Sequence, residues 1–300
     1  MKKPTLSIVV LSYNTKDLLR SCLDSLDVVK DEVAFEIIVP DNGSTDGSPE
    51  MIEEEYKSVR LVRNEKNLGF AAGNNKAREC CSGEYVLFLN SDTEVYKDTL
   101  RQSINYLKVH KDVGALTCKL ILPSGKLDPD TRRSFITPWI GLVHIFLKLD
   151  RLFPKSKFIA KYWYSYLSED QVHEVDVIQG AYFLVRKNVL DQVNWFDEDY
   201  FLDGEDVDLC WRIKEKGWKI MYYPKVSILH VKGASKGKNK NFNKVPFTDK
   251  LKYRIGGINS MELFLRKRLW VKYPLFLNIF MLLGMNILKL IRIVKLIIFG

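Results

Sequence analysis

Along the first half of the chain, apolar residues come in short unbroken runs. Between the runs they recur at helical spacing. Residues 7–11, Ser-Ile-Val-Val-Leu, are nearly all apolar and β-branched, as in a strand covered on both faces. In 15–26, Leu18, Leu19, Cys22, Leu23 and Leu26 follow a helical period. The same reasoning predicts strands at 35–39, 59–62 and 85–89. It predicts helices at 48–56, 71–81 and 98–110. Strands alternating with helices at these lengths predict an α/β fold, a mostly parallel sheet flanked by helices.

The second half is less regular. Turn residues crowd 120–129, and 135–166 is rich in aromatics and lysines without a clear period. Strands are expected at 175–185 and 220–223, helices at 187–193 and 207–216, and a polar, basic loop at 235–243. Residues 275–288 are almost wholly apolar, after which Lys289, Arg292 and Lys295 recur every third position. The apolar stretch falls short of the roughly 20 residues that span a bilayer. The pattern fits an amphipathic helix lying in a membrane interface; packing against the protein or a subunit partner is the alternative. The expected division is a domain over 1–245 and a basic, apolar, helical C-terminal extension over 246–300.

Composition narrows the partners. The net charge of +9 points to anionic ones, namely phosphates, nucleic acid or an acidic membrane surface. No nucleic-acid recognition module is present, so that class is set aside. Five cysteines without a CxxC pair argue against zinc and for reduced thiols in a cytoplasmic protein. Lys2-Lys3 precede an apolar run too short for a signal peptide and without a cleavage site.

Ligands of an open parallel sheet bind beyond the carboxyl ends of its strands. Those ends here read Ser12-Tyr13-Asn14, the run from Asp41 to Gly47, the run from Asn64 to Gly69, and Asn90-Ser91-Asp92. All are polar. No glycine-rich dinucleotide fingerprint follows the first strand, and no Walker A motif is present, so a diphosphate needs another counter-charge. A divalent metal on Asp92 would supply it, leaving Asp41 to accept hydrogen bonds from a ribose or base. A second acidic signature, Gly204-Glu205-Asp206, lies more than a hundred residues away.

The runs starting at Ser7, Asp41, Asn67 and Asn90, with Gly204-Glu205-Asp206-Val207-Asp208-Leu209-Cys210, resemble glycosyltransferase family 2, most of all its bacterial rhamnosyltransferase-like branch. The resemblance covers residues 5–235 in order. It implies a GT-A fold, a nucleotide-diphospho-sugar donor and inversion at the anomeric carbon. It makes Ser12, Tyr13, Asn14, Asp41, Asn42, Asn67, Gly69, Asn90 and Ser91 the candidate donor-binding set. It gives Asp92 the role of holding Mg2+ or Mn2+, and His230 the role of completing that site. Asp206 would be the general base, with Glu205 beside it. Asn90 stands where many members have aspartate, so the cation would be held loosely before the donor arrives.

Four further residues are acceptor candidates with bland alternatives still open. Arg132 and Arg133 are phosphate contacts or surface charge, Gly180 a close-approach or packing glycine, and Trp211 a sugar platform or core aromatic. The expectation is an inverting transferase of cell-surface polysaccharide assembly, peripheral at the inner face of the cell membrane. It would use dTDP-rhamnose or a UDP-sugar and a lipid-linked or surface-glycan acceptor, with an oligomer possible. A sugar nucleotidyltransferase would carry a glycine-rich basic loop after the first strand, absent here. A non-catalytic, membrane-associated protein of the same fold would have lost the acids, and Asp92 and Asp206 are present.

Overall fold

A computed structural model describes residues 3–232 and 247–299, so the polar loop expected at 235–243 lies outside the described residues. The chain runs β1 (Leu6–Leu11), α1 (Lys16–Val28), β2 (Phe35–Asp41), α2 (Ser48–Glu55), β3 (Arg60–Arg63), α3 (Phe70–Asn75), β4 (Tyr85–Asn90), β5 (Thr93–Val95) and α4 (Thr99–Val109). It continues through β6 (Val113–Ile121), α5 (Pro138–Ile140), β7 (His173–Glu174), β8 (Tyr182–Arg186), α6 (Lys187–Gln192), α7 (Glu205–Glu215), β9 (Lys219–His230), α8 (Phe247–Phe264) and α9 (Leu275–Phe299).

The strands form one sheet in the order β3-β2-β1-β4-β8-β6-β9-β5, with β7 paired to β9. β3, β2, β1 and β4 are mutually parallel, so their carboxyl ends share one edge. Beyond β4 the sheet is mixed, since β8 runs antiparallel to both β4 and β6. Ile8, Val9 and Val10 of β1 are wholly buried, as a strand covered on both faces requires. One core layer takes Leu19, Cys22, Leu23 and Leu26 of α1; the other takes Leu209, Cys210 and Ile213 of α7.

The strand expected at 220–223 runs on to His230, and three further expectations change. The helix expected over 71–81 stops at Asn75 and resumes only as a 3-10 turn, Arg78–Cys80. Asn74 bonds back to the Phe70 carbonyl at 2.9 Å and Asn75 reaches the Phe196 carbonyl, competing with helix continuation. Of 175–185, only the part from Tyr182 onward is strand; Val177 instead forms an isolated bridge with Arg133. β6 was not expected, because Gly114, Thr117, Cys118 and Lys119 break its apolar pattern. It is held between β8 and β9.

The C-terminal helices pack on the sheet's second core layer. Phe264, Leu265, Leu269 and Met285 are buried in the same cluster as α7. Arg268 pairs with fully buried Asp208 at 2.6 Å, and Lys267 with Asp197 at 2.7 Å. A buried carboxylate is tolerated only when paired in this way.

Candidate active site

A cavity of about 490 Å3 opens beyond the carboxyl ends of β1, β2 and β4. Its sheet-side wall includes Tyr13, Asn42, Asn67, Gly69, Asn90, Ser91 and Asp92. The facing wall includes Arg133, Gln179, Gly180, Glu205, Asp206, His230 and Lys232. A third, apolar side comes from Ile258, Met261, Phe264 and Leu265 around α8 and from Met281 and Met285 of α9. The two acidic signatures therefore meet at one hollow.

Asp92 follows β4, and the antiparallel pairing of Thr93 with His230 brings the imidazole beside it. His230 Nε2 lies 3.5 Å from Asp92 Oδ1, an oxygen that is buried without a hydrogen-bond partner among the described residues. The other ring nitrogen, Nδ1, bonds Asp128 Oδ2 at 2.9 Å. Burial alone would lower the His230 pKa, but the carboxylates of Asp128 and Asp92 outweigh it and raise it to about 9. Burial would likewise raise the Asp128 carboxyl. Hydrogen bonds from His230, Lys232 and Gln179 reverse this and hold it well below the usual carboxylate range. A divalent cation that displaced the Nε2 proton would find the Asp92 oxygen beside an imidazole oriented by a second carboxylate, a donor set that suits it. Among the described residues, no three His, Cys, Asp or Glu form a closed cage. A cation here would thus need phosphate or water oxygens to fill its shell.

The second signature sits at the start of α7. Gly204 holds φ 88°, and a Cβ there would lie 2.9 Å from Ser260 Cβ and 3.0 Å from the Tyr200 ring. Only glycine fits the turn that presents Glu205 and Asp206 at the helix N-terminus. Both acids are largely buried. Asp206 Oδ1 accepts from the Val207 amide at 2.7 Å, and Oδ2 accepts from Arg133 Nη2 at 2.5 Å. Burial would lower the Arg133 pKa; the Asp206 charge, foremost among its neighbours, raises it instead, so the guanidinium stays charged.

Several candidates lie off the cavity wall. Asp41 is buried with both oxygens engaged by its own loop: Oδ1 accepts from the Gly43 and Ser44 amides, Oδ2 from Ser44 Oγ at 2.6 Å. Ser12 bridges the ends of β1 and β2 through its backbone. Asn14 accepts from the Thr45 amide at 2.8 Å. These three shape the loops behind the wall. Arg132 points away: it donates to the Ser168 and Leu167 carbonyls at 3.0 and 3.1 Å and lies over Tyr222. Successive side chains of extended backbone face opposite sides, so only Arg133 reaches the cavity. Trp211 is half-buried and packs against the core, with its ring 4.8 Å from Phe135 and 5.5 Å from Phe264. Gly180 lines the cavity and is also a packing glycine, since a Cβ there would meet Phe70 Cζ at 2.7 Å. Sequence reasoning missed Asp128. Its only local signal, an aspartate before proline, marks a turn.

Residues 7–194 match the family profile described as Glycosyl transferase family 2. The chain is 29% identical over 247 residues to an N-acetylglucosaminyl-diphospho-decaprenol L-rhamnosyltransferase of Mycobacterium tuberculosis, covering 78% of each chain. It is 26% identical over 230 residues to rhamnosyltransferase WbbL of Escherichia coli K12, covering 74% of this chain and 82% of that one. Among solved structures, mannosyltransferase PcManGT of Pyrobaculum calidifontis in complex with GDP-Man and Mn2+ is similar with a TM-score of 0.56 at 16% identity, covering 100% of this chain and 77% of that one. S. aureus TarS in complex with UDP-GlcNAc gives 0.55 at 19%, covering 85% and 66%. These structural likenesses show a GT-A-type fold. The extent of the family match establishes that the chain belongs to glycosyl transferase family 2 and is a glycosyltransferase.

Proposed function

We propose that the chain is an inverting transferase that moves a sugar from a nucleotide-diphospho-sugar, dTDP-rhamnose or a UDP-sugar, to a hydroxyl of a lipid-linked or cell-surface glycan. The observation that carries this reading is the placement of Asp92 and Asp206 on the walls of one cavity. The donor would lie over the parallel strand ends, against Tyr13, Asn42, Asn67, Asn90 and Ser91. Asp92 and His230 would hold Mg2+ or Mn2+, which when bound neutralises charge on the leaving diphosphate. Lys232 lines the same region.

Asp206 would accept the proton of the acceptor hydroxyl. That oxygen bonds to the anomeric carbon as the bond from carbon to diphosphate oxygen breaks, and the nucleoside diphosphate departs with the electron pair. Attack opposite the leaving group inverts the centre. Each Asp206 oxygen accepts one bond from the protein and keeps a lone pair for the hydroxyl. Arg133 fixes the carboxylate's orientation, and Glu205 adds a neighbouring acid.

The apolar side of the cavity and the name of the mycobacterial relative support a lipid-linked acceptor and a role in cell-envelope polysaccharide assembly. A peripheral position at the inner membrane face, through residues 246–300, belongs to the same proposal. Among the described residues no helix is long and apolar enough to cross a membrane.

A thermal-shift panel of nucleotide-sugars with and without Mn2+ tests the reading. A metal-dependent rise in Tm with one donor is expected. The absence of stabilisation by any nucleotide-sugar would remove the reading's basis.

A further inference from the structure

We infer that residues 137–161 and the outer face of α9 form one docking surface for an anionic lipid bilayer, and that the apolar side of the active-site cavity opens behind it. The inference rests on the membrane-peripheral part of the proposed function and deepens it, adding residues 137–161 and naming the lipid charge; it does not depend on the catalytic chemistry.

α9 has two committed faces. Inward, Asn278, Gly284, Met285 and Leu296 are buried, and Lys289 is tied to Glu262 at 2.7 Å. Outward, Phe276, Phe280, Leu283, Ile287, Leu290 and Ile297 are exposed at helical spacing. They line a helix of 25 residues, about 37 Å long. A stripe of that length with none of the described residues on it is unlike the scattered apolar residues of an ordinary surface.

The second element is irregular in sequence and fell outside every periodic pattern. It exposes Trp139, Phe146, Leu147, Leu152, Phe153 and Phe158, the last with 80% of its surface in solvent. These residues belong to one folded patch: Trp139 Nε1 donates to the Phe158 carbonyl at 3.0 Å. The patch joins α9 directly, because the Phe146 ring lies so close to Gly284 that a Cβ there would meet Cζ at 2.5 Å. Behind the junction, Ile136, just before the irregular element, and Met281 and Met285 of α9 line the cavity.

Charge selects the occupant. Residues 275–299 contain no Asp or Glu. Residues 137–161 contain one, Asp150, which is buried and bonded to His144 Nδ1 at 2.7 Å. Lys148, Arg151, Lys155, Lys157 and Lys295 are exposed, and none pairs with a carboxylate of the described residues. Large apolar side chains interleaved with unpaired cations match an anionic interface, where the rings enter the acyl boundary and the cations meet phosphates. A second copy docked by a two-fold axis would set two positive faces together with no acid between them.

The test is co-sedimentation of the full chain with vesicles of phosphatidylglycerol and phosphatidylcholine, against vesicles of phosphatidylcholine alone. Wild type is expected to partition onto the anionic vesicles. Leu152→Glu/Phe153→Glu/Phe158→Glu and Phe276→Glu/Phe280→Glu/Leu283→Glu should each lose binding by at least about tenfold. A charge-only pair, Lys155→Gln/Lys157→Gln, keeps the fold in reach should the glutamate variants melt early. It should cost roughly fivefold per lysine. Wild-type binding by the 152/153/158 variant, with loss in the α9 variant alone, overturns the two-element surface. Equal binding to neutral vesicles, or a concentration-dependent dimer that these substitutions dissolve, overturns the anionic bilayer as occupant. No sugar donor or acceptor enters the assay, so a failure of the catalytic reading and a failure of this one are distinguishable.

Discussion

Arg133 Nη2 lies 2.5 Å from Asp206 Oδ2, with both side chains almost out of water, at 15% and 11% exposure. The pair joins an extended segment bridged to Val177 with the first turn of α7. It sets where the carboxylate can point, so the proton acceptor and the residue that aims it arrive from different parts of the chain.

Asp206→Asn removes the proton-accepting group while keeping its shape. Turnover is expected to fall by about 10^2–10^4, with donor affinity nearly unchanged. Steady-state rates beside a donor thermal shift check this; turnover at the wild-type rate would exclude Asp206 as the base.

Arg133→Met leaves Asp206 buried without its partner. A loss of about 3–5 kcal/mol in unfolding free energy is expected. The double variant Arg133→Met/Asp206→Asn should recover part of that loss. Denaturant unfolding of both variants reads the coupling, and additive losses would show that the two side chains do not depend on each other.

Asp128→Asn and His230→Ala act on the cation at different removes. His230→Ala deletes a proposed ligand, whereas Asp128→Asn weakens the group that orients it. Each is expected to weaken Mn2+ affinity by about 10–100-fold. A Mn2+ titration followed by donor-dependent thermal shift measures it. Unaltered metal dependence in both would leave Asp92 as the sole anchor.

Glu36 supplies a pH signature away from the site. Burial would raise its carboxyl, but bonds from Ser7 Oγ at 2.6 Å and from Ser82 N and Oγ at 2.7 and 2.8 Å hold it below its ordinary value. A depressed folded-state pKa contributes stability that is present above the unfolded value, about 4.3. It is lost as pH falls through the folded one. Tm should therefore drop more steeply with acid in wild type than in Glu36→Gln. Parallel curves would contradict this.

Local patterns carried the parallel half of the sheet. The strands at 7–11, 35–39 and 85–89 appear in place because an apolar run with β-branched residues encodes a doubly covered strand without reference to partners. β6 escaped because its burial comes from β8 and β9, which no local period reports. At the cavity, Asp92 and Asp206 were legible as acids beside apolar runs, whereas His230 was singled out only by the resemblance to glycosyltransferase family 2. Arg132 and Arg133 were not separable by composition. The backbone's alternation sent one to the Ser168 carbonyl and the other to the cavity.

The sequence alone determined the α/β alternation, the polar strand ends and the acids of both signatures, because each rests on neighbours a few residues apart. The tertiary structure decided which of these charges meet. Arg133 finds Asp206 across 73 residues, and Asp128 finds His230 across 102. Pairing at such separations follows from how strands and helices pack, and burial then makes each charge depend on the partner that packing supplies.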